Sequence, residues 1–287
     1  MKLFEKKEKK PLEPQYYTSA TNMRTYNYNV YYMSKTEKLI YIIIGFAVGA
    51  AVGYLFYGGI GKDEFGRPTT LTYILDIVIS ALAGFIAARI FIPVRTQMII
   101  KSKKKKLNAQ FRDMLEALST SLSSGKNVVD SFRAVYDDLK IQYDEGSAII
   151  EELEIILAGM DNNIDIEDLL LDFGRRSGNP DIISFSNVFK ICYRKGGNIK
   201  DTIRTTNEIL SDKIEINEDI ETIVSASKME QNIMIAMPII LIAMIKSMSP
   251  DFAANFVTVS GILSTTVAIA LFVGAYFVGK VILEIKV

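Results

Sequence analysis

The chain has 287 residues, 49% of them hydrophobic, with a mean hydropathy of +0.20 and a formal net charge of zero. It contains no histidine and one cysteine, which excludes a His-based triad, a His general base, the common zinc sites and any intramolecular disulfide. The zero charge averages two unlike parts: residues 1–106 hold 17 Lys/Arg against 7 Asp/Glu, and residues 107–232 hold 13 against 24. Such segregation bears on surfaces and interfaces rather than on fold. Enzymatic chemistry would have to rest on carboxylates, lysine or serine alone, and no cofactor is implied.

Residues 1–37 form a polar lead. It carries Lys2, Lys6, Lys7, Lys9, Lys10, Arg24 and Lys35, with Tyr16, Tyr17, Tyr26, Tyr28, Tyr31 and Tyr32 among them. Tyrosines beside lysines suit a membrane interface; the same composition suits a disordered lead. No short apolar stretch with a small-residue cleavage site follows, so this is not a secretory signal peptide.

Residues 38–92 hold the first pair of apolar segments, Leu39 to Tyr57 and Tyr73 to Ile92, each about the ~17–25 residues that a helix needs to cross a bilayer. Gly45, Gly49 and Gly53 recur every four residues, a face for close helix packing. Asp76 and Lys246 fall at similar depth near outer ends of spans. They read either as an ion pair between hairpins or as separate groups that snorkel to the interface. Arg89 snorkels at the inner end. A basic linker over 93–106 follows, with Lys101, Lys103, Lys104, Lys105 and Lys106.

Residues 107–232 read as helices with no strand. Leu107, Phe111, Met114, Leu115, Leu118 and Leu122 mark one face at 3–4 residue spacing. Further stripes are Val128-Phe132-Val135-Leu139, Ile149-Leu153-Ile156-Met160, Ile166-Leu169-Leu170-Phe173 and Ile182-Phe185-Phe189-Cys192. A sixth helix, from Ile199, carries Ile209, Ile216, Ile220 and Ile223 and can run on into the third span. Asn127 before Asp130, Asp165 before Asp168 and Asn198 before Asp201 each place a capping side chain three residues ahead of an acid. Asn179-Pro180 opens the fifth helix. Gly125, Asn162-Asn163 and Gly196-Gly197 end the preceding helices. An antiparallel bundle of about six helices is expected.

Arg194-Lys195-Gly196-Gly197-Asn198 invites comparison with a phosphate cradle, but no strand precedes it and no Gly-Lys-Ser/Thr follows; a tight inter-helix turn is the plainer reading. Acids crowd the third and fourth helices, including Glu151, Glu152, Glu154, Glu167 and Asp168. A solvated face explains such a cluster, and so does docking of a basic partner on a bundle whose acidic sides turn away from anionic lipid. Nucleic acid is disfavoured by the same sign.

Residues 233–287 hold the second pair, Ile233 to Met248 and Val257 to Leu283, with Pro238 as a kink. The link Ser249 to Phe256 has no Lys or Arg, while Lys280 and Lys286 lie at the far end. Positive-inside bias places both termini and the central block in the cytoplasm, as expected of a multi-pass protein of the cytoplasmic (inner) membrane. The fold class is thus all-α: four transmembrane helices in two hairpins flanking a cytoplasmic helical bundle.

The ordered set of Phe111 to Ser124 then Gly125, Arg194-Lys195-Gly196-Gly197-Asn198-Ile199, the long helix to Gln231, Met237-Pro238 and Ser249-Pro250-Asp251 resembles the type II secretion F family, above all its Tad (tight adherence) pilus branch. The match covers about residues 93–287, with Lys195 standing where a small or hydroxyl residue is more usual. The resemblance implies a non-enzymatic platform that couples a cytoplasmic secretion ATPase hexamer to pilin extraction, with pilin subunits, membrane lipid and a paralogue or second copy as partners. A small transporter or channel with a cytoplasmic regulatory domain is the alternative, for which the spans offer little polar lining beyond Asp76.

Overall fold

The computed structural model describes residues 13–18, 23–61, 67–248 and 250–283. Lys2, Lys6, Lys7, Lys9, Lys10, Ser249 and Lys286 lie outside the described residues, as do the side chains of Pro250, Asp251 and Lys280. The elements run β1 (Tyr16–Thr18), β2 (Arg24–Tyr26), α1 (Lys35–Tyr57), α2 (Thr70–Ser123), α3 (Val128–Gln142), α4 (Ala148–Asp161), α5 (Ile166–Ser177), α6 (Pro180–Lys195), α7 (Ile199–Met248), α8 (Pro250–Asn255) and α9 (Val259–Leu283). They form two units, Met1–Tyr32 with Thr96–Ile214, and Met33–Arg95 with Glu215–Val287. The stretch expected as a linker, 93–106, is helical within α2, and Pro93 stands inside that helix.

In the first unit the 3–4 residue stripes converge on one core. Leu107, Phe111, Met114, Leu115 and Leu118 of α2 are fully buried with Phe132 and Val135 of α3, Ile149 and Leu153 of α4, Leu170 and Phe173 of α5, and Phe189 of α6. Phe111 lies at its centre, with ring centroids 5.4 Å from Phe185 and 6.1 Å from Phe173, both edge-on, the geometry that aromatic quadrupoles favour. From α7, Ile203 and Leu210 point inward. The isoleucine stripe expected there does not: Ile209 is 63% exposed.

The turns are fixed by local chemistry. Asn127 accepts the Asp130 N–H at 2.8 Å, and Asn179 accepts that of Asp181 at 2.9 Å, with Pro180 at the first helical position. Asp165 makes no such side-chain bond, so α5 holds its start through its buried face instead. Gly125 (φ 91°) and Gly196 (φ 70°) adopt the left-handed backbone that ends a helix, where a Cβ would be strained.

The lead departs from the all-α expectation. β1 and β2 pair antiparallel, Tyr16 opposite Tyr26, and the chain then enters the core of the first unit at Tyr28, which is 5% exposed. The Tyr28 N–H donates to the Arg176 carbonyl at 3.0 Å. Two lysines of the basic run fasten this segment. Lys103 Nζ donates to the Tyr26 hydroxyl at 3.0 Å, and Lys104 Nζ donates to Asn29 Oδ1 at 2.8 Å and to the Gly178 carbonyl at 3.2 Å.

The second unit carries the apolar helices. Gly45, Gly49 and Gly53 are buried, and a Cβ on Gly45 would stand 3.1 Å from the Ala88 Cα, so the small-residue face brings α1 against α2 as their spacing predicts. Asp76 and Lys246 each turn to backbone: Asp76 accepts the Gly59 N–H at 2.8 Å, and Lys246 donates to the Leu55 carbonyl at 2.7 Å. Among the described residues, four helices are long and apolar enough to cross a membrane, and no more than 17% of any of their apolar windows is buried within the protein. Side chains such as Ile77, Phe85, Leu263 and Leu271 stand bare. Exposed apolar surface on that scale needs an apolar surrounding, and the chain is a multi-pass membrane protein.

Candidate functional site

Helical rotation of about 100° per residue divides the acids of α4 and α5 between two environments. Glu151 lies on the exposed side of α4, whereas Glu152 turns inward and is 1% exposed. A carboxylate so placed needs a full set of partners, and it has them. Arg176 Nη1 and Nη2 reach its two oxygens at 2.6 Å each, and the Tyr28 hydroxyl donates to Oε1 at 3.1 Å. Arg176 is itself buried; its Nε donates to Asp172 at 2.6 Å and its Nη1 to the Tyr26 carbonyl at 3.1 Å. Burial is the largest influence on Glu152 and raises its pKa, opposed by the Arg176 fork and the Tyr28 hydroxyl. Burial, followed by the Glu152 charge, pushes the Tyr28 phenol far above its usual range.

The acidic docking face expected over Glu151, Glu152, Glu154, Glu167 and Asp168 is therefore smaller. Glu152 belongs to the core. Glu167 is 4% exposed and accepts from Arg194 Nε at 2.9 Å. Both acids sit one residue from exposed ones, so composition alone could not separate them. Glu154 is half-buried and accepts from the Tyr136 hydroxyl at 2.8 Å. Asp168 is exposed and accepts from Lys190 at 2.8 Å, a bond that holds its carboxyl below the usual value. Glu151 makes no salt bridge among the described residues. Burial, then the neighbouring Glu154 charge, raises its pKa, while Lys103 lowers it.

The Gly196-Gly197-Asn198 segment serves as a turn. The N–H groups of Gly196 and Gly197 both close onto the Cys192 carbonyl, the latter at 2.8 Å, and Asn198 caps α7 by accepting the Asp201 N–H at 3.3 Å. Those amide groups are committed to the helix end. Pro238 stands inside α7, which continues to Met248. Among the described residues, no three of Asp, Glu or Cys are grouped to hold a metal ion.

Set against models of protein families, curated proteins and solved structures, the chain matches none of them. The resemblance to the type II secretion F family thus rests on the ordered residues themselves.

Two features escaped the sequence. Tyr28 and Glu152 meet across 124 positions, which no local pattern signals. A cavity of about 580 Å³ opens beside them, walled by the N-terminal segment, α2 and the start of α4. The alternation of tyrosine and lysine in the lead and of lysines after the second span was its only trace. A second groove of about 480 Å³ runs between α6 and the first turns of α7, with Val188, Ile209 and Lys213 in its walls.

Proposed function

We propose that the chain is a non-enzymatic platform of a type IV-like (Tad) pilus or type II secretion machine in the cytoplasmic membrane. Its two membrane hairpins hold a cytoplasmic antiparallel helical bundle, and the bundle takes up motion from a secretion ATPase hexamer and passes it to spans that contact pilins. The observation that carries this reading is continuity: α2 and α7, of 54 and 50 residues, each join an apolar span to a stretch of the charged helical unit in one unbroken helix. A continuous helix transmits displacement where a flexible linker would absorb it. Segregation of basic residues toward the spans and acidic ones toward the bundle supports a cytoplasmic bundle and an exposed face for a basic partner.

The test is co-purification of the full-length protein from the native membrane with a hexameric secretion ATPase, together with loss of surface fibres on deletion of the gene. Charge reversal of Glu151, Glu154 and Asp168 together should reduce ATPase recovery with the fold intact. Solute uptake that depends on the protein, with no ATPase recovered, would replace this reading with a transporter.

A further inference from the structure

α6 and α7 run antiparallel from the Gly196-Gly197 turn, with Cys192 beside Thr202 near the turn and Asp181 paired to Lys213 at the far end. The groove between them therefore follows α7 from Asp201 to Lys213, about 18 Å or three turns of helix. Phe185 and Leu210 form its buried floor, and Val188 and Ile209 its rims. Val188 is 41% exposed, Ile209 63%, and Ile191, three residues beyond Val188 on α6, 56%. Single exposed aliphatics are ordinary, but a group of them along one groove marks a contact surface. The groove offers little to a polar ligand. Thr202 and Thr206 turn their hydroxyls back to the carbonyls of Asn198 and Thr202, at 3.1 and 2.8 Å, and Asp181 and Lys213 satisfy each other at 2.8 Å.

We propose that this groove docks a basic amphipathic helix of another protein. Its apolar face would pack on Val188, Ile191 and Ile209, and its Lys or Arg residues would face Asp201, Glu208 and Asp212. Those three acids are exposed and stand seven and four residues apart, so they line one edge of α7 beside Ile209. Their own pairing is weak. Arg204 stands 3.9 Å from both Asp201 and Glu208, all of them exposed, and such contacts contribute little. Asp212 forms no salt bridge among the described residues. A cleft between two antiparallel helices accepts the side-chain ridge of a third, and a helix laid in a groove is read through apolar anchors at i, i+3 or i+4, and i+7. A second copy of this chain fits poorly, because a two-fold contact would set groove against groove and acid against acid. An anionic lipid surface is repelled by the same acids. The site stands on α6 and α7, apart from Glu151, Glu154 and Asp168, and does not depend on the platform reading.

Photo-crosslinking of the full chain in its native cells tests this, with p-benzoylphenylalanine placed at Ser184 or at Thr205, both exposed, and the attached peptide sequenced by mass spectrometry. The expected adduct is a segment of a different protein with net positive charge and apolar residues at helical spacing. A synthetic peptide of that segment should bind the purified full-length protein in isothermal titration. Ile209→Ser and Asp212→Lys should each weaken that binding by about tenfold, while Ile141→Ser, at a bare position on α3, leaves it unchanged. Thermal melts equal to the parent would show that these surface variants fold. Whether the adduct belongs to a secretion ATPase bears on the platform reading alone; the charge and spacing of the segment decide this one. An adduct to a second copy of this chain or to lipid, an acidic or neutral segment, no adduct at either position, or binding indifferent to both substitutions would overturn the proposal.

Discussion

Arg176 grips Glu152 through two parallel hydrogen bonds of 2.6 Å, and both side chains are at least 95% buried. Such a fork is well paired, yet its net contribution is small because both charges left water to form it. Breaking it is another matter. Arg176→Met, which leaves a buried carboxylate with one hydroxyl, should cost about 3–5 kcal/mol. The double variant Glu152→Leu/Arg176→Met should cost much less than either single change. Thermal melts of the full chain in detergent would show the difference; equal losses in all three would mean that the pair is not isolated from water.

Tyr28 closes the same network from the lead. Tyr28→Ala removes a core aromatic and should cost about 3–5 kcal/mol, as for other large core truncations. Tyr28→Phe keeps the ring and loses one bond to a charged acceptor, about 1.5–3 kcal/mol. Hydrogen exchange over residues 23–32 should accelerate strongly in the first variant and modestly in the second. A lead already in fast exchange in the parent protein would contradict the packing.

Turn glycines differ although they are neighbours. Gly196 has φ 70° and Gly125 has φ 91°, whereas Gly197 has no positive φ. Alanine at Gly196 or Gly125 should cost about 1–2 kcal/mol, and asparagine less. Gly197→Ala meets the Cys192 Cα at 3.3 Å, a contact that a small backbone shift relieves, so its melt should move less than that of Gly196→Ala.

Tyr143 donates a short hydrogen bond to Asp113. Burial first, and then that bond, push its phenol up to about 12. A folded pKa above the unfolded value of about 10 stabilises the protein fully below pH 10, and the contribution is lost as pH rises from about 10 through about 12. Absorbance of tyrosinate should therefore show Tyr143 among the late-titrating phenols, with the step near pH 12 lost in Tyr143→Phe while the still later Tyr28 is unaffected. The same variant should flatten the fall in stability over that alkaline range.

How much of this was legible in the sequence follows from the range of each interaction. Phe111, Met114, Leu118, Phe132, Phe173 and Phe185 were marked as core by spacing alone, and all are buried, because a helix repeats over distances that a short window contains. On α7 the abundant isoleucines pointed to the wrong stripe; Ile203 and Leu210, seven residues apart, are the inward pair. Adjacent acids such as Glu151 and Glu152 look alike in composition, and only a partner on another helix tells them apart. The lysine run after the second apolar segment reads as a topology signal, and Lys103 and Lys104 also fasten a distant segment. Asp165 has the sequence of a cap without the bond, since packing of α5 suffices to start it.

The burial of Tyr28 with Phe111 in one core also constrains parity. A side chain cannot share a dry interior with another across a bilayer, so the chain between residues 32 and 96 must make an even number of crossings. An odd count would strand Tyr28 on the far side from Glu152. It also sets an order of events during synthesis: Tyr28 must wait, already translated, until the helices that bear Glu152 and Arg176 have been made.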